Sequence, residues 1–221
     1  MYYEIIASGK GNCVIINDVM VDCGVEFGEI RTKLFDIKYL LLTHRHGDHI
    51  NLFTLHCIKR IFPNIVIIGN SDVNEYVGVD KVATHRFGVT TDDYVFEPFD
   101  LKHSVQTTGY TWRFQGSTII YATDTYCLGN APEGRKYDYF FLESNHDIYA
   151  YQKAKQWAAR EGRLPFTECD NHLSRQEAYA FYEYYQNNED STMIELHKSL
   201  MFYDRDSFEK RTKKHEGMVA I

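Results

Sequence analysis

Proline is scarce, with four residues in a chain of 221. No Pro/Gly/Ser-rich linker, internal repeat or low-complexity tract divides the sequence. A single domain spanning 1–221 is therefore expected, long enough to bury a sizeable core. Long apolar runs are missing as well. Tyr39-Leu40-Leu41-Leu42 is typical of the longest, far below the ~20 residues that span a bilayer. Met1-Tyr2-Tyr3-Glu4 lacks the basic region and apolar stretch of a signal peptide. The expectation is a cytoplasmic protein with no membrane partner. Cysteine is odd in number, at Cys13, Cys23, Cys57, Cys127 and Cys169, and forms no C-x-x-C pair. That disfavours a disulfide framework or a thiolate zinc knuckle and predicts buried, inert thiols. A basic excess is lacking too. The net charge is −7, which favours a small substrate over a long duplex gripped by its phosphates. The strongest basic run, Lys210-Arg211-Thr212-Lys213-Lys214-His215, reads as a solvated helix face.

What is present reads as α/β. Tyr3 to Ala7, Cys13 to Ile16 and Val19 to Val21 are expected strands, separated by Gly9-Lys10-Gly11 and Asn17-Asp18 turns. Residues 27–35 predict a short helix. Residues 39–43 predict a buried strand, and residues 50–62 a helix with Leu52, Leu55, Ile58 and Phe62 on its apolar side, stopped by Pro63. Residues 65–68 follow as a strand. From about residue 94 the chain reads as β-rich, with a hairpin turning at Gln115-Gly116-Ser117 and a further strand over 138–142. Ser174-x-x-Glu177 is a capping box opening a helix over 174–186. A late strand over 193–196 ends at His197. A helix over 204–215 and a return to the sheet over 218–221 complete the reading. Strands followed by helices in two successive halves suggest two sheets with helices outside.

Thr43-His44-Arg45-His46-Gly47-Asp48-His49 carries the chemistry. Three imidazoles and a carboxylate within six residues, between a buried strand and a helix, suit Zn²⁺, Mn²⁺ or Fe²⁺. His44 and His46 can face one ion while Asp48 and His49 face the next, with Gly47 permitting a tight backbone path. Two metal shells need further ligands. His103, Asp124 and His197 each follow an apolar strand, where a rigid element can present them. Asp22 is expected either to orient loop amides or a ligand imidazole, or simply to cap its loop. His56 is expected to pack, His85 and His215 to lie on the surface, and His146 either to line an entrance or to be exposed.

These motifs, in this order, resemble the metallo-β-lactamase superfamily. They are most similar to the small WalJ (YycJ)-like hydrolases, many encoded by phages, and more distantly to ribonuclease Z. The resemblance runs through Ala7-Ser8-Gly9-Lys10-Gly11-Asn12-Cys13, Val21-Asp22-Cys23-Gly24, Leu42-Thr43-His44 to His49, and Leu101-Lys102-His103 with Thr108-Gly109-Tyr110. It continues in Tyr121-Ala122-Thr123-Asp124-Thr125, Leu142-Glu143-Ser144-Asn145-His146-Asp147 and Asn171-His172-Leu173-Ser174. It implies an αββα sandwich of two mixed β-sheets with helices on the outer faces. One ion would be held by His44, His46 and His103, the other by Asp48, His49 and His197, with Asp124 bridging. His172 would donate a proton to the leaving group and Glu143 would work with it. The alternative assignment makes His172 a ligand and His197 structural.

The resemblance implies hydrolysis of phosphodiesters by a hydroxide on two divalent ions, zinc foremost with manganese or iron as substitutes. Asp48 and Asp124 would orient the hydroxide. The substrate would be a nucleotide or short nucleic acid, cut by a nuclease or opened by a cyclic-nucleotide phosphodiesterase in a bacterial or phage-infected cell. The abundant Tyr and Phe offer faces on which bases stack. Two other classes stay open: an ester or thioester hydrolase, since fold does not fix function, and a binding protein that sequesters a nucleotide without turnover. A homodimer is expected from the resemblance.

Overall fold

The computed structural model describes residues 1–85 and 87–203. The expected helix over 204–215, the strand over 218–221, the basic run and His215 lie outside the described residues.

Among the described residues, twelve strands form two six-stranded sheets. The first contains β1 (Tyr3–Ala7), β2 (Cys13–Ile16), β3 (Val19–Val21), β4 (Tyr39–Leu42), β5 (Val66–Gly69) and β6 (Lys81–Val82), side by side in chain order. The second contains β7 (Val89–Thr90), β8 (Val95–Leu101), β9 (Thr107–Phe114), β10 (Ser117–Ala122), β11 (Tyr139–Glu143) and β12 (Thr192–Leu196), again in chain order across the sheet. Both sheets are mixed. β1 to β3 are antiparallel, and β4 to β6 continue parallel to β3. β7 to β10 are antiparallel, and β11 and β12 continue parallel to β10. The helices are α1 (Phe27–Ile30), α2 (Leu52–Ile61), α3 (Ser71–Val77), α4 (Ile148–Arg160) and α5 (Arg175–Tyr185).

Side-chain alternation along the strands builds the layers, because neighbouring residues point to opposite faces of a sheet. Val14, Ile16, Tyr39 and Leu41 from the first sheet meet Tyr110, Trp112, Ile119, Tyr121 and Phe141 from the second in one buried cluster. Their neighbours Cys13, Ile15, Leu40 and Leu42 point the other way and pack with Leu55 and Ile58 of α2 and Val73 of α3. Ile120, Ala122, Phe140 and Leu142 likewise turn outwards to Ala178, Phe181 and Tyr182 of α5. The expected αββα sandwich of α/β class is the observed one. No helix among the described residues is long and apolar enough to cross a membrane.

Several local expectations change. Residues 27–35 split into the single turn of α1 and a 3₁₀ turn over Lys33–Asp36; Gly28 and Thr32 are weak helix formers. Leu52 is exposed, so the apolar face of α2 begins at Leu55. Asn51 caps that helix with its side chain, and Phe62, held before Pro63, ends it. Ser174 and Glu177 form the expected capping box. Helix α4 escapes the sequence pattern because its buried side is Ala150, Ala154 and Ala158 with one tyrosine, a weak apolar signal. His56 is exposed rather than packed, His85 is exposed as expected, and His146 is buried. Cys13, Cys23 and Cys169 are buried, but Cys57 is half-buried and Cys127 exposed.

The glycine that the backbone path requires is Gly24, not Gly47. A Cβ on Gly24 would lie 1.7 Å from the Asp48 carbonyl oxygen, whereas one on Gly47 meets nothing within 4 Å. Backbone hydrogen bonds lace the three segments that converge there: Asn12 N to Asp48 O at 2.7 Å, Gly24 N to Asn12 O at 2.9 Å and Cys23 N to His49 O at 2.9 Å. Gly24→Ala is expected to cost ~3 kcal/mol or more, because backbone has to move. Gly47→Ala should stay within ~1 kcal/mol of wild type by the same denaturant titration. Equal midpoints for the two variants would refute the close-approach account.

Candidate metal centre

The parallel strands end together at one rim of the sandwich. Asp22 follows β3, His44 follows Thr43 at the end of β4, Asp124 lies just beyond β10, Glu143 ends β11 and His197 follows β12. Register sets their alignment: Val21 pairs with Leu41, Ala122 with Leu142, and Glu143 with Leu196. His103 arrives on the β8–β9 connection, and His172 on the segment leading into α5. Asp22, Asp124 and His197 adopt left-handed backbone conformations, with φ of 60°, 56° and 52°. Asp and His are among the side chains that tolerate this region, which still costs of order 1–3 kcal/mol per residue.

All seven ligand candidates named from the sequence converge. Donor atoms of His44, His46 and His103 lie within 4.8 Å of one another, and so do those of Asp48, His49 and His197. Asp124 sits between the groups, with Oδ2 2.9 Å from His49 Nε2 and Oδ1 3.9 Å and 3.5 Å from Nε2 of His103 and His197. His172 Nδ1 hydrogen-bonds Glu143 Oε1 at 2.6 Å, and His197 Nδ1 shares the same oxygen at 3.1 Å. The two imidazoles stack with centroids 5.0 Å apart. His172 also joins Asp124 and His197 in a compact group, but not Asp48 and His49.

The surroundings hold these rings in place. Asp22, fully buried, accepts from the Thr43 amide at 2.8 Å and from Thr43 Oγ1, and its Oδ2 lies 2.7 Å from His49 Nδ1. It thus fulfils both orienting roles expected of it, fixing a loop amide and an imidazole. Three supports carry no separate signal in the sequence, because each joins segments far apart in the chain. Asn12 donates to Asp48 Oδ2 at 3.3 Å and lies 2.8 Å from His49 Nε2. Ser8 Oγ accepts from the His197 amide at 2.6 Å. Asn70 caps α3 and donates to the Thr43 and Gln106 carbonyls, tying the β4 end to the loop behind His103.

Charge is delicately placed. Burial pushes the His44 imidazole down to about 2, leaving it neutral. Burial also opposes charge on His49, but the Asp22 and Asp124 carboxylates outweigh it and hold the ring well above its usual value. Burial opposes charge on His197 as well, and Glu143 more than compensates, raising it to about 9. Protons on imidazoles therefore balance buried carboxylates where cationic charge is needed.

The donor set fits divalent cations. Imidazole and carboxylate are ligands for Zn²⁺, Mn²⁺ and Fe²⁺. His44 Nε2 and His46 Nδ1 face each other at 3.0 Å, a meeting of two ring nitrogens that a shared cation satisfies on both sides. Asp124 is buried with Oδ2 2.9 Å from His49 Nε2, so the carboxylate and the imidazole nitrogen face each other where a shared cation would meet both.

No family model matches the chain. It is 28% identical over 98 residues to a hydroxyacylglutathione hydrolase of Buchnera aphidicola, a match covering 44% of this chain and 37% of that protein. It is 27% identical over 169 residues to the exodeoxyribonuclease WalJ of Streptococcus pneumoniae, covering 66% of this chain and 63% of the relative. The chain thus spans less than two thirds of the length of these relatives. Among solved structures it resembles the metallo-β-lactamase fold protein YhfI of Bacillus subtilis, with TM-score 0.67 and 15% identity over 96% of this chain and 91% of that one. It also resembles the short form of human tRNase Z, with TM-score 0.63 and 16% identity over 89% and 92% of the two chains. A diphosphatase of the PhnP family gives TM-score 0.58 and 16% identity over 89% and 86%. At these identities the structural likeness is one of fold, and the chain has the metallo-β-lactamase fold.

Removing Asp22 strands a buried imidazole and a buried amide. Asp22→Ala is expected to lower stability by about 3 kcal/mol. It should also weaken binding of a divalent ion by roughly 10–100-fold, read by chelator competition. Unchanged metal affinity in a folded variant would show that Asp22 does not position His49 for binding.

Proposed function

We propose that this chain hydrolyses phosphodiester bonds with the aid of two divalent metal ions, zinc suiting the nitrogen and oxygen shell best and manganese or iron serving as substitutes. In this reading His44, His46 and His103 hold one ion, Asp48, His49 and His197 hold the other, and Asp124 bridges. The observation that carries it is the position of Asp124, buried where the imidazoles of both groups meet, its donor atoms close to His44 and His49 on one side and to His172 and His197 on the other. Bound there, two ions supply Lewis acidity to a water molecule and neutralise charge on a phosphoryl group.

The chain's own residues supply the rest. Asp48 has a side chain about two-fifths exposed (39%), open enough to hold an incoming water, while Asn12 steadies its other flank. Glu143 is wholly buried and fixes Nδ1 of His172, which favours the charged imidazole against the effect of burial. His172 can then donate its remaining ring proton, at Nε2, to the departing oxygen. Glu143 also fixes Nδ1 of His197 and leaves Nε2 towards Asp124, which supports His197 as the ligand and His172 as the acid. The names of WalJ, tRNase Z and the PhnP-family diphosphatase favour a phosphorus ester, with nucleotides or short nucleic acids as substrates. A second reading, cleavage of an ester or thioester, is favoured by the likeness to hydroxyacylglutathione hydrolase, which is confined to 98 residues.

Turnover of bis-p-nitrophenyl phosphate, cyclic mononucleotides and labelled DNA and RNA, with zinc or manganese, tests this. At least one phosphodiester should be cleaved, and Asp48→Ala and His172→Ala should each lose about 100-fold or more. A metal-loaded protein that spares every phosphodiester would overturn the reading; turnover of an acyl-glutathione would then select the ester class, and nucleotide retained unchanged would select sequestration. Elemental analysis should find two equivalents of metal per chain in the wild type and fewer in Asp124→Ala. One equivalent in both would remove the bridging role.

A further inference from the structure

A cavity of about 560 Å³ opens beside His172 and His197, within the size range of small-molecule sites. One wall is the loop between β1 and β2, including Ser8, Gly9, Lys10 and Gly11. That loop is tied to the candidate metal centre at both ends. Ser8 Oγ receives the His197 amide at 2.6 Å, and Asn12 takes the Gly9 amide at 3.0 Å while reaching Asp48 and His49. Gly9 turns the chain with φ of 121°, so Lys10 is carried exposed at the tip of a strap anchored on ligand-bearing segments.

Lys10 is the cavity's unneutralised cation among the described residues. The other lysine, Lys198, is paired with Glu195 at 3.1 Å and lies 4.6 Å from the centre of the Tyr203 ring. The cavity's acid, Glu168, turns back on the Thr167 amide at 3.1 Å. Leu200 and Met201 add an apolar wall. Asn145 also lines the cavity and is 94% buried by its 6% exposure. Its amide nitrogen donates to the His197 carbonyl at 2.8 Å, which leaves Oδ1 buried without a donor. An apolar wall, one idle acceptor and one cation at the rim match a nucleoside with a phosphate on its far side: a face to pack, an N–H to satisfy Oδ1, and an anion for Lys10.

We propose that this cavity holds the nucleoside next to the scissile bond and that Lys10 binds that nucleoside's outer phosphate. The preferred substrate is then a linear di- or oligonucleotide with a further phosphate one nucleoside away from the bond cleaved, rather than a cyclic mononucleotide. This rests on the phosphodiesterase reading.

The test compares kcat/KM of the metal-loaded protein for the thymidine dinucleotide TpT with that for its end-phosphorylated forms, pTpT and TpTp, with bis-p-nitrophenyl phosphate as reference. Wild type should favour one end-phosphorylated form over TpT by ~10-fold or more, as one charge-assisted contact allows. Lys10→Met should reduce that ratio to about 1–2, and Lys10→Arg should largely keep it, since the charge is retained. Isothermal titration of the Asp48→Ala protein, with and without Lys10→Met, reads the same ratio as binding. Cleavage by wild type without a preference, or a preference that survives Lys10→Met, overturns the Lys10 assignment alone. Failure to cleave any diester, bis-p-nitrophenyl phosphate included, overturns the phosphodiesterase reading and this inference with it.

Discussion

Asp22 has no exposure to water, and groups from two other points of the chain close on its carboxylate: the Thr43 amide and hydroxyl, and Nδ1 of His49. A buried charge is stable only when paired and hydrogen-bonded. The segment after β3, the end of β4 and the turn into α2 are consequently fixed relative to one another. The Asp48 carbonyl reinforces this arrangement by lying so close to Gly24 that no side chain fits between them. The candidate ligand cluster is thus built on a backbone knot rather than on a free loop, and preorganised groups of this kind need little rearrangement when a ligand arrives.

The cost of the arrangement is visible in the backbone. Asp22, Asp124 and His197 are all left-handed, one beyond each of three parallel strands. A strand that continued in extended form would carry its next side chain to the helix-covered face or into the core. The sharp change of direction instead turns a carboxylate or imidazole across the rim. Such conformations persist where surrounding structure over-determines them, and the aromatic cluster between the sheets, with Tyr110, Tyr121 and Phe141 at its centre, provides that constraint.

The charges of the rim are paired with one another, whereas the whole chain is acidic. The chain carries −7 overall, yet the rim gathers imidazoles whose protons are held by Asp22, Asp124 and Glu143. Such pairing holds buried carboxylates and imidazoles together without leaving either sign uncompensated. The cavity beside the rim carries Lys10 on its edge.

The sequence by itself determined the candidate metal cluster and the layers. Three imidazoles and a carboxylate between a buried strand and a helix marked the cluster, and short apolar runs in residues 13–16, 39–42 and 118–122 marked strands. His103, Asp124 and His197 were legible because each stands directly after an apolar strand. Helix α4 was not, since alanine at its buried positions carries too little apolar contrast. Nor were the partners of the site: Asn12 meeting His49, Ser8 meeting the His197 amide, and Asn70 joining the β4 end to the His103 loop. The requirement for glycine fell on Gly24 rather than Gly47 for the same reason. These depend on which strands become neighbours and in what register, and such pairings are decided by packing between residues as much as 189 positions apart, where local pattern exerts no influence.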